Sequence, residues 1–343
     1  MDNFLLEYRD PLFGIIIFFS LIFIISFFSY WWGIMKSKEE ESELGRFLSK
    51  FEGNADKELW SPENLDDTKK ALLLLASSFE KSGDFEKAIA IYLGILEKTV
   101  NKSEKHDVLR LLGRVYFKAG FLQRCKDIFI EILKFFPRDP WSLRYLMVTY
   151  ERLRDYRKAL EITESLEELE DVKEERGYLL ARNIIEESSL SDTEKIRRLL
   201  ALYADFPGHT RLIFEFIFKT RPNEGWKALK EEHYPIICDI LWNLPYHSVD
   251  FGRVEKNRYL KELYSAKGYG NYADGSTVFE FDVLINLNKE EYGRAGLEFE
   301  YICRECKQIF PLPFNRCPNC MKTGSAEPEM LISEVINEKD ISI

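Results

Sequence analysis

Leu75-Ala76-Ser77-Ser78-Phe79-Glu80-Lys81-Ser82-Gly83-Asp84-Phe85-Glu86-Lys87-Ala88-Ile89-Ala90-Ile91-Tyr92 is the stretch on which the fold turns. Large and small apolar residues recur in it at helical spacing, a glycine interrupts them, and the pattern resumes. The same order returns in Leu112-Gly113, Tyr116, Gly120, Cys125 and Phe129, closed by Pro137. A third copy runs through Leu146, Tyr150, Asp155-Tyr156, Ala159-Leu160 and Leu166. Ala88, Cys125 and Ala159 are spaced by 37 and then 34 residues, the period of the tetratricopeptide repeat. Each copy reads as a helical hairpin in which the small residue of the second helix admits close approach of the first. Gly83 and Gly120 close first helices, and Pro137 ends a second one. Cys125 stands in for alanine and reads as a buried packing residue.

Outward from this core the repeat weakens. Tyr178-x-x-Ala181 with Leu199, Tyr203 and Pro207 reads as a degenerate fourth unit, and Leu212 to Phe218 as a further helix. Beyond Pro222 no register can be assigned. The expected organisation is an anchor over 1–36, a juxtamembrane connector over 37–66, tetratricopeptide repeats over 67–207, degenerate helical repeats over 208–275, and a metal ribbon over 276–343.

The anchor rests on the chain from Pro11 to Met35, which holds no charged residue and ends with Tyr30, Trp31 and Trp32. About 20 apolar residues in a helix cross the hydrocarbon layer, and amphipathic rings favour its border. Arg9 alone precedes the run, whereas Lys36, Lys38, Arg46 and Lys50 follow it, so the body is expected in the cytoplasm. No small-residue cleavage site follows, which argues against a secretory leader.

Near the other end, Cys303-x-x-Cys306 and Cys317-x-x-Cys320 are separated by ten residues. Two such turns can aim four thiolates at one tetrahedral ion, with metal–sulfur distances of about 2.3 Å. Zinc and a single iron both suit that donor set. A closed four-ligand site favours a structural role over redox chemistry. Lys307 and Met321 stand where a glycine commonly relaxes such a turn. Leu297 to Ile302 and Met330 to Val335 read as strands, and Val278 to Leu287 as β-prone, adding a strand or hairpin to the ribbon. The fold class expected is thus mainly α, with a small β-rich ribbon.

The chain has 48 Lys and Arg against 58 Asp and Glu, a net charge of −10, which disfavours nucleic acid as a partner. No nucleophile elbow, phosphate loop or zinc-protease motif is present, and the four histidines share no ligand spacing, which points away from an enzyme. In the repeat register, Arg110, Arg114 and Lys118 fall on the concave face of the second unit, with Arg144 and Arg152 on the third. Such a row suits an acidic peptide or a C-terminal carboxylate. The alternative is a solvated face balanced by acidic neighbours.

An apolar N-terminal run, tetratricopeptide hairpins and the C-x-x-C, ten residues, C-P-x-C pattern together resemble the lipopolysaccharide assembly protein B family. The likeness is carried best by Gly83-Asp84-Phe85-Glu86-Lys87-Ala88-Ile89 and Leu111-Leu112-Gly113-Arg114-Val115-Tyr116-Phe117-Lys118-Ala119-Gly120. It implies a rubredoxin-like ribbon packed on the repeats. It also implies an adaptor in a bacterial inner membrane, governing turnover of the deacetylase that commits precursors to lipid A through a membrane-bound AAA protease. Self-association is left open. Two other readings compete, a membrane-tethered rubredoxin-like electron carrier and an assembly scaffold with no link to lipid A. The segment 268–300 is longer and more β-like than the resemblance implies.

Overall fold

The computed structural model describes residues 65–290 and 295–334. The expected anchor and nearly all of the connector lie outside these residues. Among those described, no helix is long and apolar enough to cross a membrane. The chain divides between Ser78 and Phe79 into two units. The first contributes, among the described residues, most of α1 (Leu65–Ser82), and the second contains everything that follows.

Hairpins then succeed one another. After α1 come α2 (Phe85–Lys98), α3 (Lys102–Lys118), α4 (Leu122–Phe135), α5 (Pro140–Arg152), α6 (Tyr156–Glu167), α7 (Lys173–Glu186) and α8 (Asp192–Asp205). The turns that reverse the chain share one device. Gly83 and Gly120 sit at φ +82° and +80°, where a glycine meets no side-chain penalty, and in the third copy Arg154 takes φ +60° in their place. The positions that set the period, Ala88, Cys125 and Ala159, are all fully buried. Close approach is visible between α3 and α4, where a Cβ on Gly113 would lie 2.7 Å from the Phe129 ring. The tetratricopeptide-type hairpin is therefore present in packing as well as in pattern.

Cys125 meets the packing expectation. Its thiol is 3.2 Å from the Thr149 hydroxyl, and burial pushes its pKa up to about 11, so it is an inert small residue.

From residue 207 the helices shorten: α9 (Thr210–Thr220), α10 (Pro222–Ala228), α11 (Cys238–Trp242), α12 (Phe251–Val254) and α13 (Arg258–Ala266), with 3₁₀ turns at Pro207–His209, Glu231–His233, Pro235–Ile237 and Tyr246–Ser248. The segment expected to be β-prone is instead α14 (Phe279–Lys289). The reason is that Phe281, Leu284 and Ile285 follow helical spacing and are the ones buried. At its start, Ser276 accepts from the Val278 amide and Asp282 accepts from the Ser276 amide, at 3.0 Å each, a local network that fixes the first turn.

The ribbon is a three-stranded antiparallel sheet, β1 (Ala295–Cys303), β2 (Ile309–Phe310) and β3 (Ala326–Glu334), in the order β2-β1-β3. The register sets Tyr301 opposite Phe310 and Cys303 opposite Ala326. Tyr301, Cys303, Phe314, Cys317 and Ala326 form its small core.

Candidate metal centre and its seam with the helices

Both cysteine turns are built alike. In the first, the Lys307 amide donates to Cys303 O at 2.9 Å and the Cys303 amide to Gln308 O at 3.0 Å; in the second, Met321 donates to Cys317 O at 3.0 Å and Cys317 to Lys322 O at 2.8 Å. The residue after each second cysteine must turn left-handed to close this double bond. Lys307 and Met321 do so at φ 59° and 63°, the glycine's task carried out by side-chain-bearing residues. Such a residue costs about 1 kcal/mol or more, which the surrounding bonds must offset.

The turns bring together the four cysteines expected to act as ligands. All four sulfurs lie within 4.8 Å of one another, with Cys303 to Cys320 at 3.6 Å and Cys306 to Cys317 at 3.7 Å. A tetrahedron of bonds of about 2.3 Å places its sulfurs about 3.8 Å apart, so the donor set fits one zinc or iron ion. The Cys303 thiol is buried, which opposes ionisation, yet the Ser325 hydroxyl and the Cys306 and Glu305 amides bring it down to about 6. Burial and its crowded thiol neighbours push Cys320 up to about 12. Four anionic sulfurs at this spacing repel one another, and a cation among them removes that penalty. When bound, the ion would be held by Cys303, Cys306, Cys317 and Cys320, with no side-chain position left open for substrate.

The ribbon is docked on the helices by the segment around its second knuckle. Arg316 Nε donates to Glu151 Oε2 on α5 at 2.7 Å, both side chains being about nine-tenths buried, and its guanidinium lies 5.2 Å from the Tyr178 ring on α7. Tyr178 in turn donates to Glu151 Oε1 at 2.8 Å. Lys322 stands 3.8 Å from Glu175 on α7. Gly324, at φ +60°, approaches so closely that a Cβ on it would lie 2.6 Å from the Gly208 carbonyl oxygen. Beneath it His209, 2% exposed, places Nε2 at 2.7 Å from Glu174 O. A second tether starts from β1, where Tyr301 donates to Asp239 Oδ2 at 2.8 Å and Arg211 donates to Asp239 Oδ1 at 2.6 Å. The seam leaves a cavity of about 490 Å³ between His209, Leu212, Phe314 and Pro328.

The five basic residues expected on the first helices do lie there, but each has a partner. Arg114 and Lys118 both reach Glu80, at 2.7 and 2.8 Å. Arg144 pairs with Glu170 and lies 3.3 Å from Glu175. Arg152 covers the Phe117 ring at 3.9 Å. Arg110 stacks on Trp141 at 4.6 Å and has only a long contact, 3.7 Å, to Asp139. The row is thus a ladder of alternating charge that links neighbouring repeats. Glu80 is 3% exposed in its side chain, and opposition from burial is outweighed by Arg114 and Lys118, which hold its carboxyl below the usual range.

The two halves of the row differ in what faces them. Arg144 shares a small cavity with Arg316, Cys320 and Lys322 of the ribbon, so the chain itself covers that part. Between the second and third repeats, Asp107, Arg110, Leu111, Arg114 and Trp141 line a cavity of about 260 Å³ that involves no ribbon residue. The four-cysteine cluster was legible in the sequence and the seam was not, because Arg316, Lys322, Gly324 and Glu151 belong to no motif. The one available signal was a basic residue directly before Cys317 in a chain of acidic helices.

No protein-family profile matches this chain, and no curated protein matches it. Among solved structures it is similar to the MamA RS-1 ArsTM double mutant, at TM-score 0.40 and 15% identity, covering 51% of this chain and 94% of that one. A second MamA mutant gives 0.34 and 18%, covering 48% and 93%. A tetratricopeptide repeat protein from Parabacteroides merdae gives 0.35 and 16%, covering 65% and 99%. Likenesses this remote carry no argument about the present chain.

Proposed function

We propose that this protein is a non-enzymatic, membrane-anchored adaptor whose hairpin face receives protein partners and whose ribbon is a structural cap locked by one metal ion. The observation that supports the reading best is the division of the basic row. The ribbon covers its Arg144 end, while the Arg110–Trp141 pocket offers a guanidinium over an indole, an arrangement suited to an acidic peptide with an apolar neighbour.

The finer assignment follows from the family resemblance. We infer a single-pass protein of a bacterial inner membrane, its body in the cytoplasm, that couples the lipid A deacetylase to a membrane AAA protease. Of the basic row, Arg110 is the residue we assign to the centre of partner binding, with Arg114 beside it in the same cavity; Lys118 is taken up by Glu80, Arg144 faces the ribbon and Arg152 lies on the Phe117 ring. Affinity capture from native membranes tests this. The deacetylase and the protease are expected to co-purify with the wild type, and Arg110→Ala should lose at least one of them while keeping a normal melting temperature. Capture of neither by the wild type would end the lipid A assignment.

A further inference from the structure

The ribbon sheet has the order β2-β1-β3, so β3 pairs with β1 on one side and, among the described residues, with no strand on the other. The register fixes which of its backbone groups are left over. The Arg304 amide donates to Ser325 O at 2.8 Å, one step beyond the paired residues Cys303 and Ala326. Hydrogen-bonded and non-hydrogen-bonded pairs alternate along an antiparallel ladder. Ile302 with Glu327, Glu300 with Glu329 and Glu298 with Leu331 are therefore the bonded pairs, and Ala326, Pro328, Met330 and Ile332 turn their backbone groups away from β1. Pro328 agrees with this phase, since a residue without an N–H belongs on the outward side of an edge strand. Among the described residues, the amides and carbonyls of Met330 and Ile332 have no partner.

Along this open edge the sequence is uneven. Pro328 closes one position, and Glu329 and Glu334 carry charge, the devices by which edge strands avoid indiscriminate pairing. Between them Met330-Leu331-Ile332-Ser333 carries neither device, and Leu331 and Ile332 are 40% and 38% exposed. Side chains alternate across a sheet, so Met330 and Ile332 share the face that meets the helices, where Met330 Sδ is 3.6 Å from Cys238 Sγ on α11. Leu331 lies on the outer face with Glu298, Glu300, Glu327 and Glu329. Arg304 approaches Glu327 at 3.5 Å, and the other three glutamates have no ion pair among the described residues. Glu300 and Glu329 stand directly opposite each other, like charges whose repulsion a cation alongside would relieve.

We propose that the free edge of β3 is a docking site for an extended segment of a protein partner, a short apolar run flanked by Lys or Arg, which pairs with Met330 and Ile332 as a fourth strand. In such pairing the main-chain hydrogen bonds of the open edge supply affinity, and side chains on alternate faces supply specificity. Apolar residues of the incoming strand meet Met330, Leu331 and Ile332, and a cation at either end meets Glu329 and Glu334. A second copy of β3 fits worse, because it brings three more glutamates to an acidic edge. The site shares no residue with the Arg110 cavity and selects the opposite charge.

The test titrates the purified full chain with the peptide acetyl-KVIVTK-amide, read by fluorescence anisotropy of the labelled peptide and by hydrogen exchange of the chain. The peptide should bind and slow exchange in 328–334, while α3 and α4 do not change. A copy N-methylated on its three apolar residues keeps the charge but loses the strand's donors, and should bind at least about tenfold more weakly. Ile332→Pro removes one outward amide without touching the ladder to β1, and should weaken binding in the same way. Glu329→Lys with Glu334→Lys, both at exposed positions, should reverse the preference, toward acetyl-EVIVTE-amide and away from the lysine peptide. Failure of the lysine peptide to bind overturns the proposal. So does equal binding of the N-methylated copy, which would reduce the effect to charge, and so does protection confined to other segments. Protection of 328–334 that rises with chain concentration in the absence of peptide would give the edge to a second copy and would overturn it too.

Discussion

Arg316 and Glu151, 165 positions apart in the chain, form a nearly buried ion pair at 2.7 Å that fastens the four-cysteine ribbon to the third hairpin. Each has further support, Arg316 from the Met321 carbonyl that it donates to at 2.6 Å and Glu151 from the Tyr178 hydroxyl. Because Met321 belongs to the second cysteine turn, the geometry of the cysteine cluster and the geometry of docking share a residue.

Glu151→Ala should therefore destabilise the folded body by about 3–5 kcal/mol, since it strands the Arg316 charge in the seam. Arg316→Met should cost a similar amount, and the double variant less than the sum. Denaturant unfolding of the four proteins measures the coupling, and simple additivity would mean that the pair does not hold the ribbon.

Gly324→Ala separates docking from metal binding. The added methyl meets a backbone oxygen that cannot rotate away, at a left-handed residue, and should cost at least about 2 kcal/mol. Metal content by elemental analysis should stay at one ion per chain. Protease sensitivity of the ribbon should rise, and an unchanged digestion pattern would contradict the close contact with Gly208.

Mild acid should loosen the same seam. Burial holds the His209 pKa below its ordinary value, opposed by the Glu174 carbonyl and the Glu174 and Glu175 carboxylates and assisted by Arg316. The imidazole is neutral in the fold, whereas in the unfolded chain it takes a proton near 6.5. Between that value and the lower folded one the unfolded state binds more protons, so stability is full above about 6.5 and falls as the pH falls below it. Melting temperatures measured from pH 7.5 to 5.5 should drop, and His209→Gln should flatten this part of the profile.

Much of this was legible in the sequence, for a reason that also explains what was not. Ala88, Cys125 and Ala159, or the two C-x-x-C pairs, are signals local to one or two turns of chain, and local geometry alone positions them. The reversal at Arg154 carries no glycine, and the left-handed turn there is visible only in the backbone. Phe279-x-Phe281-x-Val283 imitates a strand over five residues, while the burial of Phe281, Leu284 and Ile285 follows the helix. The basic row lies on the first helices, where the repeat register sets it, and a balance by acidic neighbours was open in the sequence; which acids supply it was not, because Glu80, Glu170 and Glu175 come from neighbouring repeats. For the same reason Arg316 could not be matched to Glu151.

Cys317→Ser removes one thiolate and should release the metal, since ribbon folding and metal binding are one equilibrium. Zinc-loaded and iron-loaded protein should capture the same partners, because zinc offers no redox change. A requirement for iron, together with a reversible one-electron couple, would instead support an electron carrier.

The central claim is that the metal holds the knuckle that holds the ribbon on the third and fourth hairpins. Hydrogen exchange of the purified full chain, with its metal and after chelation, tests it most directly. Chelation should speed exchange throughout 295–334 and also in α5, α7 and residues 206–212, while α3 and α4 away from the seam remain as they were. Loss of protection confined to the ribbon, with α5, α7 and 206–212 unaltered, would show that docking does not depend on the metal and would contradict the account.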